Sequence, residues 1–276
     1  MRIIRIGTII IFLVSGIFFF MGKQVSSKKD VISPVITAES QELHVAAGSD
    51  PEALMKGITA KDDRDGDLTE EILIGNISPF ETKGVSTIEY LVFDKSNNVG
   101  RLQRTVYFDG YRSPMFELTK PLTFEKNGEI LLSDRLFAKD VLEGDITDKI
   151  RYTASNVIQY EEGTYDLIVE VKNNYGDVVQ KILPINIVSQ NMDVERIQLE
   201  TYLIYVEKDA EIYPEDYVKA IVNLNGEPDS EAELYITSEV NLKTAGTGQF
   251  RYELYKGGER VYVTHLTVVV TDEKEQ

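Results

Sequence analysis

Apolar side chains alternate with polar ones at a period of two in three separate stretches of this chain. Ile88, Tyr90 and Val92 share one face of a segment that follows Gly84. Leu167, Val169 and Val171 do the same after Gly163, and Phe250, Tyr252 and Leu254 after Gly248. That period predicts half-buried antiparallel strands with one face on a core. The first two strands run into polar turns, Asp94–Asn98 and Asn173–Asp177, and then into closing strands at Thr105–Phe108 and Leu183–Val188. Asn, Asp and Gly collect in such turns because they tolerate positive φ. Lys256-Gly257-Gly258-Glu259 predicts a hairpin leading into a last strand, Val261–Val270. Ile197–Val206 reads as a strand ended by a turn at Lys208-Asp209.

The strands recur in a larger repeat. AKDDRDGDLTEEI at Ala60–Ile72 aligns without a gap with AKDVLEGDITDKI at Ala138–Ile150, an offset of 78 residues. Ala60, Lys61, Asp62, Gly66, Asp67, Thr69 and Ile72 all recur. Each copy opens near a proline, Pro34 or Pro114, and a third copy is traced from residue 191 onward without the Asp-rich turn. Short strands at regular spacing, in units of this size, predict an all-β chain of tandem Ig-like β-sandwich modules. The expected division is 30–110, 111–190 and 191–276, with 1–29 as cytoplasmic tip, membrane anchor and linker. The linkers Asp109–Ser113 and Ser189–Asp193 are short, which predicts a stiff rod.

One segment breaks the pattern. Ile6–Gly22 carries no charge over its whole length. As a helix it spans about 25 Å, close to a hydrocarbon core of about 30 Å, with Arg5 and Lys23 placed to snorkel. A cleaved signal peptide wants a shorter apolar stretch and small residues at its end, whereas Phe19, Phe20 and Met21 stand there. The expectation is therefore one N-terminal transmembrane helix over residues 6–22, retained as a signal-anchor in the plasma membrane. The modules are expected outside the cell.

Charge narrows the partners. The chain has 46 acidic and 29 basic side chains, net −17; the five charges in residues 1–29 are all positive, which leaves −22 beyond them. Such a surface repels phosphate backbones, so nucleic acid is excluded. There is no cysteine, which removes disulfides, thiolate metal sites and thiol nucleophiles.

The early Pro, the A-x-D-x-x-[DE]-G-D-[LI]-T string, the Gly before an alternating strand and the D-x-x-x-N turn together resemble a known family. It is the bacterial Ig-like domain first named from a pesticidal crystal protein, found in tandem on Gram-positive surface proteins. The resemblance covers Ser33–Gly110 and, less fully, Pro114–Val188. It implies an extracellular β-sandwich in a spacer or adhesion role, and no catalytic residues.

Asp62, Asp63, Asp65 and Asp67 put four carboxylates in six residues, the hard-oxygen clustering that calcium requires. An EF-hand register fails, because Leu68 and Ile74 fall where Gly and the bidentate Glu belong. The favoured reading is a structural turn in which Asp67 with Glu70, and Asp145 with Asp148, cap a helix start. That turn is expected to bury Leu68 and Ile72, or Ile146 and Ile150. Calcium at the four aspartates is the alternative, and no other cofactor is expected.

His44 and His265 are the two histidines, each in a strand-like stretch of a different module, so no nucleophile–base pair is predicted. The function expected is a non-catalytic surface spacer or scaffold. The competing reading is adhesion to an extracellular protein or glycan through loops or a sheet edge, with Tyr202, Tyr205, Tyr213 and Tyr217 as candidate contacts.

Overall fold

The computed structural model describes residues 14–17, 30–190 and 194–272. Val14–Ile17 are helical and exposed; the rest of the predicted anchor lies outside the described residues. Among the described residues no helix is long and apolar enough to cross a membrane. From Asp30 onward the chain is built of strands joined by turns and short 3-10 segments, so it is all-β as expected. It divides into two compact units, residues 30–45, 50–81 and 85–107 in one and 46–49, 82–84, 108–190 and 194–272 in the other.

The first unit contains β1 (Val35–Ala38), β2 (Glu42–Ala46), β3 (Ile58–Asp62), β4 (Gly66–Asp67), β5 (Leu73–Ile77), β6 (Val85–Phe93) and β7 (Val99–Asp109). They form two sheets, β1-β3-β4 and β2-β7-β6-β5. The period-two pattern does what it predicts. Ser86, Ile88, Tyr90 and Val92 of β6 are all fully buried, while the intervening residues are not. Ile36, Leu43, Ile58, Ala60, Leu68, Ile72 and Val106 complete the core. Sequence reasoning missed Arg104, buried beside Val106, whose guanidinium is accommodated because it donates to the Lys56 carbonyl at 2.8 Å.

The second unit repeats the plan twice. Its first part has β8 (Met115–Leu118), β9 (Thr123–Glu125), β10 (Leu136–Asp140), β11 (Gly144–Asp145), β12 (Arg151–Ser155), β13 (Gly163–Lys172) and β14 (Val178–Val188). Its second part has β15 (Ile197–Leu199), β16 (Leu203–Glu207), β17 (Val218–Ile221), β18 (Glu233–Ser238), β19 (Gly246–Lys256) and β20 (Glu259–Thr271). The sheets are β11-β10-β8 with β12-β13-β14-β9, then β15-β17 with β16-β20-β19-β18. In each part the second strand runs parallel to the last one, β9 on β14 and β16 on β20. The single strand expected over Ile197–Val206 is thus two, one for each sheet. The predicted hairpin is present, with Gly257 and Gly258 both at positive φ.

The two parts do not have separate cores. One hydrophobic cluster runs from Phe116 and Leu136 through Val169 and Ile185 to Tyr252, Leu266 and Val268. Buried polar pairs stitch it together. Asn186 and Gln249 exchange two amide hydrogen bonds at 2.9 and 3.2 Å, and Thr123 Oγ1 lies 2.9 Å from His265 Nδ1.

Candidate metal centre

The Asp-rich string folds alike in both copies, and most of its shared letters have a task. Ala60 N–H donates to Thr69 Oγ1 at 3.1 Å, and Ala138 N–H to Thr147 Oγ1 at 3.0 Å. Asp62 Oδ1 accepts from the backbone of Arg64 and Asp65; Asp140 Oδ1 accepts from Leu142 and Glu143. Gly66 and Gly144 take φ of +82° and +75°, which a side chain would oppose. Asp67 accepts from Thr69 N–H and Oγ1, and Asp145 from Thr147 N–H.

The expected helix cap is therefore corrected in detail. The turn is a three-residue 3-10 segment, Thr69–Glu71 or Thr147–Lys149. Its N-cap positions are Leu68 and Ile146, and the carboxylate bonds reach residues 69 and 147. Leu68, Ile72 and Ile146 are buried as expected, and Ile150 is partly so.

The four predicted calcium ligands do not act together. Asp63 is exposed, and Asp67 is held by Thr69, which keeps its carboxyl below the ordinary range. Asp65 accepts from Lys95 N–H at 2.8 Å with the Lys95 ammonium 3.3 Å away, and its pKa is lowered chiefly by that backbone bond. Asp62 alone turns inward. At the end of β3 it meets Asp94, which follows β6, and Asp30, which precedes β1. One carboxylate oxygen from each lies within 4.8 Å of the others, and all three side chains are buried. Among the described residues this is the one such grouping of three acidic or metal-ligating side chains.

Each carboxylate is held from behind by its own loop. Asp30 Oδ1 accepts from Ile32 N–H, and Asp94 Oδ1 accepts from Ser96 and Asn98 N–H at 2.8 and 2.7 Å. Asn98 Nδ2 donates to Asp94 Oδ2 and, at 3.3 Å, to the Asp30 carbonyl, so the turn after β6 ties the N-terminal segment down. Gly100 permits the close approach: a Cβ there would stand 2.2 Å from the Pro34 carbonyl oxygen. Asp30 Oδ2 and Asp62 Oδ2 are buried without a hydrogen-bond partner. The guanidinium of Arg64, about half exposed, approaches Asp30 Oδ2 at 3.5 Å. Like unit charges about 5 Å apart repel by roughly 3 kcal/mol at an effective dielectric near 20. One arginine does not neutralise three such groups.

The second copy places different chemistry at the same spot. Asn173 occupies the turn position of Asp94, and its Nδ2 donates to Asp140 Oδ2 at 3.0 Å. The Tyr111 hydroxyl enters where Asp30 enters in the first copy and donates to Asp177 Oδ2 at 2.9 Å, while Asn173 Nδ2 donates to Tyr111 Oη. Burial first, then the Asp177 bond and the Asp140 charge, push the Tyr111 phenol far above its ordinary pKa, so it stays a donor. The oxygen left bare on Asp62 is thus satisfied on Asp140.

The histidines belong to different units and different settings. His44 is exposed and stacks on Tyr107 with ring centres 4.6 Å apart. His265 is buried against Thr123. Of the four candidate contact tyrosines, Tyr202 is buried, Tyr205 and Tyr217 are partly buried against the core, and Tyr213 is exposed. Tyr205 exchanges hydrogen bonds with the Phe116 backbone, which makes it a packing residue.

Against known proteins, no family model matches the chain. Over 182 residues it is 26% identical to the pesticidal crystal protein Cry22Aa of Bacillus thuringiensis, a match covering 60% of this chain and 24% of that protein. The chain thus spans about a quarter of that relative's length. Among solved structures, it is similar to CBM51-2 and INT domains of Clostridium perfringens ZmpB at 19% identity, with a TM-score of 0.24 over 55% of this chain and 27% of that one. Drosophila N-cadherin EC1-3 matches at 11% identity with a TM-score of 0.28, over 87% of this chain and 99% of the other. Scores of that size carry no argument about fold or function.

Proposed function

We propose that the chain is a non-catalytic cell-surface spacer or scaffold of Ig-like modules, held at the plasma membrane by residues 6–22 with the modules outside. The observation that carries this reading is the shared core of the second unit. Two sandwich-like parts packed around one hydrophobic cluster, pinned by Asn186–Gln249 and Thr123–His265, resist bending between them. Stiffness is what a spacer needs. The uncharged Ile6–Gly22 stretch and the strongly acidic remainder support anchorage and outward display. The test is fractionation of expressing cells followed by protease treatment of intact cells. Recovery in membranes with external cleavage of the modules is expected. A soluble protein, or modules protected from protease, refutes the reading.

A second reading, adhesion to an extracellular protein or glycan, is favoured by β18. It is the edge strand of its sheet and carries exposed Tyr235, which packs edge-on against Tyr255 at 5.2 Å. Binding of the full-length protein to a glycan or cell surface that is lost in Tyr235→Ala would support it.

A further inference from the structure

We propose that Asp30, Asp62 and Asp94 form a divalent-cation site, built for calcium, in the first unit. Three observations converge. The side chains are 4%, 9% and 4% exposed, and one oxygen from each falls within 4.8 Å of the other two. A calcium ion with oxygens at about 2.3–2.6 Å spans up to about 5 Å between ligands on opposite sides, so the spacing fits. Asp62 Oδ2 is buried with no donor, and Asp30 Oδ2 makes no hydrogen bond and meets only the half-exposed Arg64 guanidinium at 3.5 Å. A buried carboxylate oxygen without a donor is rare and needs a partner, and a cation at this spot would supply one to all three carboxylates at once.

The internal repeat supplies the control. In the second copy the place of one carboxylate is taken by an amide, Asn173, and that of another by a phenol, Tyr111. The hydrogens of these two groups satisfy the neighbouring oxygens. The turns themselves are superimposable in their bonding: Asp94 N–H donates to the Asn98 carbonyl at 3.1 Å, and Asn173 N–H to the Asp177 carbonyl at 3.1 Å. The scaffold is therefore common to both copies, each with one Asp and one Asn across the turn, Asp94 with Asn98 and Asn173 with Asp177. Only in the first does the string's inward carboxylate keep an oxygen with no donor, Asp62 Oδ2, where Asp140 Oδ2 receives the Asn173 amide.

Ligand chemistry selects the ion. Carboxylates with no imidazole or thiolate disfavour zinc. Three ligands from separate loops, each fixed by its own backbone bonds, suit the variable geometry of calcium better than the strict octahedron of magnesium, which keeps several waters.

The test uses the full-length chain in detergent, stripped with chelator and titrated calorimetrically with calcium, magnesium or zinc chloride. One saturable calcium site with a dissociation constant at or below about 10⁻³ M is expected, together with a melting temperature that rises with calcium. Asp94→Asn keeps an amide oxygen to accept from the Ser96 and Asn98 backbone N–H groups, with the Asn98 side-chain amide turned over so that its oxygen accepts from the new Nδ2. It should weaken calcium binding at least about tenfold, as should Asp62→Asn. Asp67→Asn and Asp140→Asn should leave binding unchanged, and circular dichroism verifies the fold of each. The proposal is overturned by a wild-type chain that takes up no calcium, which makes the pocket a water site. It is equally overturned by affinity untouched in both Asp62→Asn and Asp94→Asn, by loss of binding in Asp67→Asn, or by preference for zinc or magnesium.

Discussion

Acidification should destabilise the second unit through one side chain, His265. It lies in β20, 4% exposed, opposite Arg251 in the ladder and bonded to Thr123. Burial, and then the positive charges of Arg251 and Arg260, push its pKa down to about 3. In the unfolded chain the imidazole takes up its proton near pH 6.5. Between about pH 6.5 and 3 the unfolded state therefore holds more protons, so stability falls as pH falls through that window and is unaffected above it. Each pH unit lowers the folded-to-unfolded ratio about tenfold, so pH 4.5 should cost the second unit roughly 3 kcal/mol relative to pH 7.5. Other groups titrate in the same range. Glu195, for one, has its pKa raised, chiefly by burial, and contributes with the opposite sign. The comparison with His265→Gln removes them, because they titrate in both proteins. Urea unfolding at pH 7.5, 5.5 and 4.5, read by amide exchange in β19 and β20, gives the difference. The stability gap between His265→Gln and wild type should shift in the variant's favour by roughly 3 kcal/mol on going to pH 4.5. Parallel pH profiles would refute the reasoning.

Three further outcomes are expected. Gly100→Ala forces a methyl group to 2.2 Å from the Pro34 carbonyl oxygen and should cost about 1–3 kcal/mol in urea unfolding of the first unit. The displaced segment carries Asp30, so calcium affinity should fall with it. Gln249→Ala strands the buried Asn186 amide and should destabilise the second unit by about 1–3 kcal/mol; a double-mutant cycle with Asn186→Ala should return much of that as coupling. Asp67→Ala should lower the first unit's melting temperature equally in calcium and in chelator, because its bonds to Thr69 shape the turn and do not face the acidic cluster. A calcium-dependent loss would return Asp67 to the ligand set.

Local patterns were legible from residues alone. The strands after Gly84, Gly163 and Gly248 became β6, β13 and β19, with the predicted face inward, since period-two alternation reports which side of a strand meets the core. The 78-residue repeat was equally legible, and its shared Ala, Asp and Thr proved to carry the hydrogen bonds of one turn. β17 and β18 were missed. Their burial is only partial, so their hydrophobic signal is weak.

The acidic cluster was readable only in part, for a physical reason. Sequence proximity singled out Asp62, Asp63, Asp65 and Asp67, yet adjacent residues on a turn point in different directions, and only Asp62 faces inward. Asp30 and Asp94 lie far from it along the chain; Asp94 heads the polar turn noted in the sequence, but nothing local links either residue to Asp62. They meet because β3 and β6 end at the same place and Gly100 lets the segment through Pro34 pack against β7. The sequence by itself determined the all-β class, the repeat, the turn and the acidic surface, all of which depend on contacts within a few residues or on composition. Tertiary structure alone decided which carboxylates converge and that the last two parts share one core. Those outcomes depend on strand register and sheet packing between residues that no local pattern links.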